Sequence, residues 1–390
     1  MQFNFDEVID RTNSDCVKLE RLKPVFGRDD LIPLWVADMD FKSPPAIIDA
    51  LQQRVEHGLF GYTIAPNAWS DSIIHWLDRR YQWQVKKEQF HFVPGVVKGF
   101  AFAIDVFTDK GDNVIIQPPV YHPFRLVTKS LGRAVINNPL ILEDGHYRMD
   151  FEGLRGIITE NRCKMLILCN PHNPGGRVWS GEELRELAEI CHENNIIVVS
   201  DEIHSDLALP GYSHTPFATV SAKAEEISLT LMAPSKSFNI AGIVSSFAVI
   251  PNKKIRDKYI GYLEPRELTQ GTLFAYTATT AAYDYCEEWL SEMIEYVQGN
   301  IDYVNNFLKG QIPQIKAILP EASFLVWLDC RELNLSQAEL VKFFVEEANL
   351  ALNDGAIFGP GGEGFMRLNV GTSRTVLEKA LNNLQKAIQK

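Results

Sequence analysis

Four residues of this 390-residue chain could do chemistry together if folding brought them to one place. Lys236 lies in "APSKSF" (233–238), between the apolar runs "ISLTLM" and "IVSSFAVI". A lysine there either marks a surface turn or offers a nucleophilic amine. Asp201 follows "IIVVS" in "SDEIH" (200–204). An ion emerging from an apolar run needs a cationic partner, which a ligand or an ordinary salt bridge could supply. Asn173, in "CNPHNPGG" (169–176), is a donor and acceptor on a turn fixed by prolines and glycines, and turn chemistry alone would also explain it. Tyr121, in "PPVYHPF" (118–124), has a face to stack on a planar ligand or to pack in the core.

The elements around these residues argue for one location. "NVIIQPP" (113–119), "KMLILCN" (164–170), "NIIVVSDEI" (195–203), "ISLTLMAP" (227–234) and "VSSFAVI" (244–250) are continuous apolar runs, the pattern of strands buried on both faces. "SGEELRELAEICHENN" (180–195) reads as a helix, with Ser180 and Glu183 forming a capping box. The expected fold is α/β, a mostly parallel sheet sandwiched by helices, with the four residues at the strands' C-terminal edge, where such sheets bind ligands. From 272 the pattern changes. Residues 272–310 read as one very long or kinked helix, and strands at 322–330 and 365–370 with helices at 336–348 and 373–388 predict a smaller α+β domain. The expected division is an N-terminal segment (1–45) packing with the small domain, a large domain (46–284) and a small C-terminal domain (285–390).

Composition narrows the classes. A net charge of −12 argues against nucleic acid or an anionic membrane as partner. No apolar run approaches the ~20 residues that span a bilayer, and "MQFNFDEVIDRTNSD" lacks the apolar stretch of a signal peptide. The six cysteines are scattered without a CxxC pair, and Cys163, Cys169 and Cys191 read as buried free thiols, so a cytoplasmic protein is expected. No metal is expected, because neither "CHENN" nor "DEIHSD" gives ligand pairs at useful spacing. His192 reads as an exposed residue near a helix end. "GPGGEG" (359–364) matches a dinucleotide-binding pattern formally, but "FMRLNV" after it is strand-like where a helix is required.

An amine, a carboxylate, an amide and an aromatic face at one sheet edge suit pyridoxal phosphate. The lysine forms an imine with it, and the carboxylate keeps its ring nitrogen protonated. The chain in fact resembles the fold type I pyridoxal-phosphate enzymes of the aminotransferase class I/II superfamily. It is most similar to their cystathionine β-lyases, the C–S lyases of MalY/PatB type. "PLWVADMDF" (33–41), "GYT" (61–63), "PGVV" (94–97), "PVYHPF" (119–124), "CNPHNPGGRVW" (169–179), "VSDEIHSDL" (199–207), "SKSFNIAG" (235–242), "FLVWLD" (324–329) and "RLNVGTSR" (367–374) carry the resemblance in order.

The resemblance implies Lys236 as the lysine that binds the cofactor and moves the substrate's Cα proton, with Asp201 at the ring nitrogen, Asn173 at the phenolic oxygen and Tyr121 stacked on the ring. It implies that Val96 and Val97 offer N–H groups to the phosphate and Ser235 a hydroxyl. Tyr62 would reach that phosphate from a partner subunit, which implies a homodimer with shared sites. Arg367 would clamp the substrate carboxylate, with Ala37 beside it. Two positions depart from the common aminotransferase pattern: Val244 replaces an arginine eight residues after the lysine, and His204 replaces a tyrosine three residues after the aspartate. Both fit the C–S lyase branch. The implied activity is β-elimination on L-cystathionine and related cysteine S-conjugates. An amino-acid aminotransferase is the alternative, and a non-catalytic binding relative is a third reading.

Overall fold

Six of seven strands in the main sheet run parallel, and each apolar run singled out above supplies one of the seven. The computed structural model describes residues 2–389. Across the sheet the order is Phe90–Val93, Ser246–Val249, Ser228–Met232, Ile197–Asp201, Cys163–Cys169, Asn113–Ile116, Ala134–Asn137. Only Ser246–Val249 is antiparallel to its neighbours. The interior strand Ser228–Met232 is buried at every residue, as expected of a strand covered by helices on both faces. One covering helix is Gly181–Glu193, where the Ser180 hydroxyl accepts from the Glu183 N–H and Glu183 accepts from the Ser180 N–H. It buries Leu184, Leu187, Ala188, Ile190 and Cys191 against the sheet side.

Residues 272–310 correct the expectation of one long or kinked helix. There are two, Leu273–Tyr285 and Glu287–Gln311, separated at Cys286, whose backbone leaves helical geometry (φ −113°, ψ 15°). The break lets them serve different partners. The first packs on helices Pro45–Glu56 and Asn67–Tyr81, and the second on Arg374–Ile388 and strand Lys316–Ile318. A four-stranded antiparallel sheet follows, ordered Lys316–Ile318, Leu325–Asp329, Phe365–Asn369, Asn353–Asp354. The N-terminal segment joins this end: Ile32–Pro33 pairs with Leu350–Ala351, and Phe5 packs edge-on against Phe41 and Trp289.

Residues 359–364 form a loop that leads into strand Phe365–Asn369, and Gly359, Gly361 and Gly364 all take positive φ there. Cys163, Cys169 and Cys191 are buried free thiols. His192 is half-buried rather than exposed, because its Nε2 meets Glu226 at 3.1 Å. Among the described residues no helix is long and apolar enough to cross a membrane.

Candidate active site

The loops leaving four strands hydrogen-bond to one another at the sheet's C-terminal edge. Asp201 ends its strand in register between Cys169 and Leu231. The Asn170 N–H donates to the Asp201 carbonyl (3.0 Å), and the Glu202 N–H donates to the Leu231 carbonyl (2.9 Å). The Tyr121 N–H donates to the Asn173 carbonyl at 3.0 Å, which ties the loop after Asn113–Ile116 to the proline-rich turn. The loop carrying Lys236 is fixed from behind. The Ser237 hydroxyl donates to the buried Asp206 carboxylate at 3.1 Å, and that carboxylate also accepts from Trp76 Nε1 at 2.9 Å and from the Tyr81 hydroxyl.

These loops enclose a cleft of about 250 Å³. Lys236, Asp201, Asn173, Tyr121, Val96, Val97, His204, Arg367 and Ala37 all line it. Ser235 is buried beside Lys236 but is not part of the wall, and Tyr62 stands fully exposed away from it. Trp35, Val36, His122, Cys169, Ile203 and Asn353 also line the cleft, though nothing in the sequence singled them out as site residues.

Charge in the cleft is poorly compensated. Asp201 is buried and accepts one hydrogen bond, from the Ile203 N–H at 3.2 Å. Burial pushes it up to about 7, against the pull of that bond and of Lys236. Burial and the Arg367 charge bring Lys236 down to about 8, and its amine donates to the Ala37 carbonyl. Arg367 is 5% exposed and has only neutral partners: Nη1 donates to Asn173 Oδ1 (3.0 Å), and Nη2 to the Trp35 carbonyl (3.0 Å) and to Asn353. Among the described residues its Nε has no hydrogen-bond partner, and burial lowers the guanidinium to about 10. A buried guanidinium without an anion is prepared for one.

The far wall is the start of helix Val96–Phe107. Gly95 precedes it at φ 114°, a conformation that favours glycine, and no side chain caps the helix. The first N–H groups of a helix have no partner within it, so Val96 and Val97 present an anion seat to the cleft.

Residues 29–384 match the family model "Aminotransferase class I and II". The chain belongs to this aminotransferase family. Its similarities within the class I and II family are specific. It is 43% identical over 385 residues to cystathionine β-lyase PatB of Bacillus subtilis, spanning 99% of this chain and 100% of that one. The crystal structure of cystalysin from Treponema denticola, which contains pyridoxal 5′-phosphate, superposes with a TM-score of 0.96 at 34% identity, covering 100% of this chain and 99% of that one. A pyridoxal-phosphate-bound C–S lyase from Staphylococcus hominis gives 0.93 at 32% identity over the same shares. The residues of this class I and II chain fit that cofactor on their own chemistry. Among the described residues Asp201 makes no ion pair, the buried His204 Nδ1 has no hydrogen-bond partner, and no side chain caps the start of helix Val96–Phe107.

The buried histidines give this aminotransferase-family fold an acid limit. Burial, before neighbouring cations, lowers His122 to about 4 and His204 and His172 to about 3. Below their ordinary value of 6.5 the unfolded chain therefore takes up three protons that the folded chain refuses. Asp201 opposes them, since its raised value lets the folded chain hold one proton more between 3.8 and about 7. The histidines prevail, so stability is lost as pH falls below about 6.5. The urea midpoint of the cofactor-free protein should drop between about pH 7 and pH 5.5; a level or rising midpoint would contradict this assignment.

Proposed function

We propose that this chain is a pyridoxal-phosphate-dependent C–S β-lyase that converts L-cystathionine and related cysteine S-conjugates, with water, into a thiol, pyruvate and ammonia. The observation that carries the reading is the convergence of Lys236, Asp201, Asn173 and Arg367 on one cleft. Its end-to-end similarity to a cystathionine β-lyase supports the choice of reaction. When bound, the cofactor supplies an electron sink for the negative charge left at the substrate's Cα. Asp201 would hold the proton on its ring nitrogen, Tyr121 would face the ring, and Asn173 and His204 would flank its phenolic oxygen. Val96, Val97 and Ser235 would hold its phosphate.

The remaining chemistry belongs to the chain. Arg367 grips the substrate carboxylate and so fixes which Cα bond faces Lys236. Lys236, brought down to about 8, is partly neutral near pH 7 and removes the Cα proton at Nζ. The Cα–H electron pair becomes the second Cα–Cβ bond as the Cβ–S bond breaks, and sulfur leaves with that bond's pair and takes a proton. Water then displaces ammonia from the three-carbon fragment, giving pyruvate. The exposed apolar segment with Leu59, Phe60 and Ile64 carries Tyr62, and a second copy covering it would place Tyr62 at its neighbour's cleft. The purified protein should be yellow, elute as a dimer, and release homocysteine and pyruvate in equal amounts from L-cystathionine. No pyruvate, together with amino-acid formation when a keto acid is added, would instead make it an aminotransferase.

A further inference from the structure

Residues 35–38 hydrogen-bond both cationic groups of the cleft through backbone carbonyls. The Trp35 carbonyl accepts from Arg367, and the Ala37 carbonyl accepts from Lys236. The outer side of this loop is gripped by the N-terminal segment. Lys18 is 1% exposed, and its ammonium lies 3.2 Å from Asp38 Oδ1 and 2.9 Å from Asp40 Oδ1. It also donates to the Asp38 carbonyl at 3.2 Å. Arg11 closes the square from outside, at 2.6 Å from Asp38 and 2.7 Å from Asp40. At the other end of the loop, Trp35 Nε1 donates to the Lys18 carbonyl at 3.0 Å. One residue thus holds both ends of the stretch whose carbonyls face the cleft.

Burying an ammonium is costly, and such networks add little stability over a well-packed apolar replacement. What they do supply is geometry. Burial alone would raise Asp38, yet Lys18 and Arg11 hold it below the ordinary range, so its carboxylate stays charged and the clasp stays shut. Only Val36 separates the two carbonyls, so slack in the clasp shifts both contacts together. We propose that Lys18, assisted by Arg11, is a positioning residue for amino-acid binding: by clamping Asp38 and Asp40 it sets the carbonyls that aim Arg367 and Lys236. This rests on the functional reading above.

The test compares wild type with Lys18→Met in the full chain loaded with pyridoxal phosphate. L-Alanine, which has no β leaving group, is titrated against the visible absorption. Lys18→Met should take up the cofactor like wild type, need at least ~10-fold more L-alanine for half-saturation, and raise KM for L-cystathionine more than it lowers kcat. Lys18→Arg should recover part of the loss. If Lys18→Met fails to fold, the charge-balanced Lys18→Met/Asp38→Asn protein decides by the same two readings. A lowered Tm with wild-type L-alanine binding would make the clasp merely structural and overturn the inference. Wild-type protein that takes up no pyridoxal phosphate would instead overturn the functional reading, and this inference with it.

Discussion

Lys236→Ala protein should still bind pyridoxal phosphate but release pyruvate from L-cystathionine on the order of 10,000-fold more slowly than wild type. The size of the loss follows from the scarcity of bases in the cleft. His122 and His204 line it too, but at about 4 and about 3 they are weak proton acceptors. Asp201 is committed to a buried position with its carboxylate on the Ile203 N–H. Asp201, at about 7, also titrates near working pH, but Lys236, at about 8, is the stronger base of the two. Its removal should barely alter folding, since it gives up one hydrogen bond, to the Ala37 carbonyl, and an ammonium that burial disfavours. Pyruvate release measured beside a urea midpoint separates the two effects. A variant that keeps more than about a hundredth of the rate would place the base elsewhere, with His122 and His204 next in line.

The site was legible in the sequence wherever a residue follows an apolar run directly. Asp201, Asn173, Lys236 and Tyr121 lie within a few residues of a strand end, and in a parallel sheet all such ends face one edge. Arg367 lies on the small antiparallel sheet, so the resemblance alone located it. Asn353 was invisible for a related reason. It meets Arg367 only because Asn353–Asp354 pairs in register with Phe365–Asn369, and a two-residue strand leaves no periodic signal. His122 follows Tyr121 directly, but its place in the wall depends on the turn into helix Pro123–Ser130. Cys169 is a buried thiol of the core beneath the sheet edge, and it also forms part of the cleft wall. No glycine or proline marks the break at Cys286, so the pattern reads only as one long or kinked helix, and the tertiary partners on either side decide where it parts.

Arg367→Lys should raise KM for L-cystathionine on the order of 100-fold to 1,000-fold, with kcat changed much less. The guanidinium is held by three acceptors on three different segments: Asn173, the Trp35 carbonyl and Asn353. Those bonds occupy both terminal nitrogens and set the plane of the fork, which leaves Nε as an unpaired buried donor. A carboxylate can then pair with Nε in a fixed direction that a lysine ammonium cannot reproduce. The shorter lysine also leaves some of the three acceptors without a donor, so it restores charge without restoring direction. A substrate without the carboxylate distinguishes this account from general damage. An S-alkyl cysteamine should bind wild type and Arg367→Lys with equal, weak affinity, because the interaction lost in the variant is one it never makes. If the variant weakens cysteamine and cystathionine alike, Arg367 supports the cleft and does not recognise the carboxylate. If KM for L-cystathionine stays at its wild-type value, the carboxylate is bound by some other group, and the Arg367 fork serves only to hold Asn173 in place.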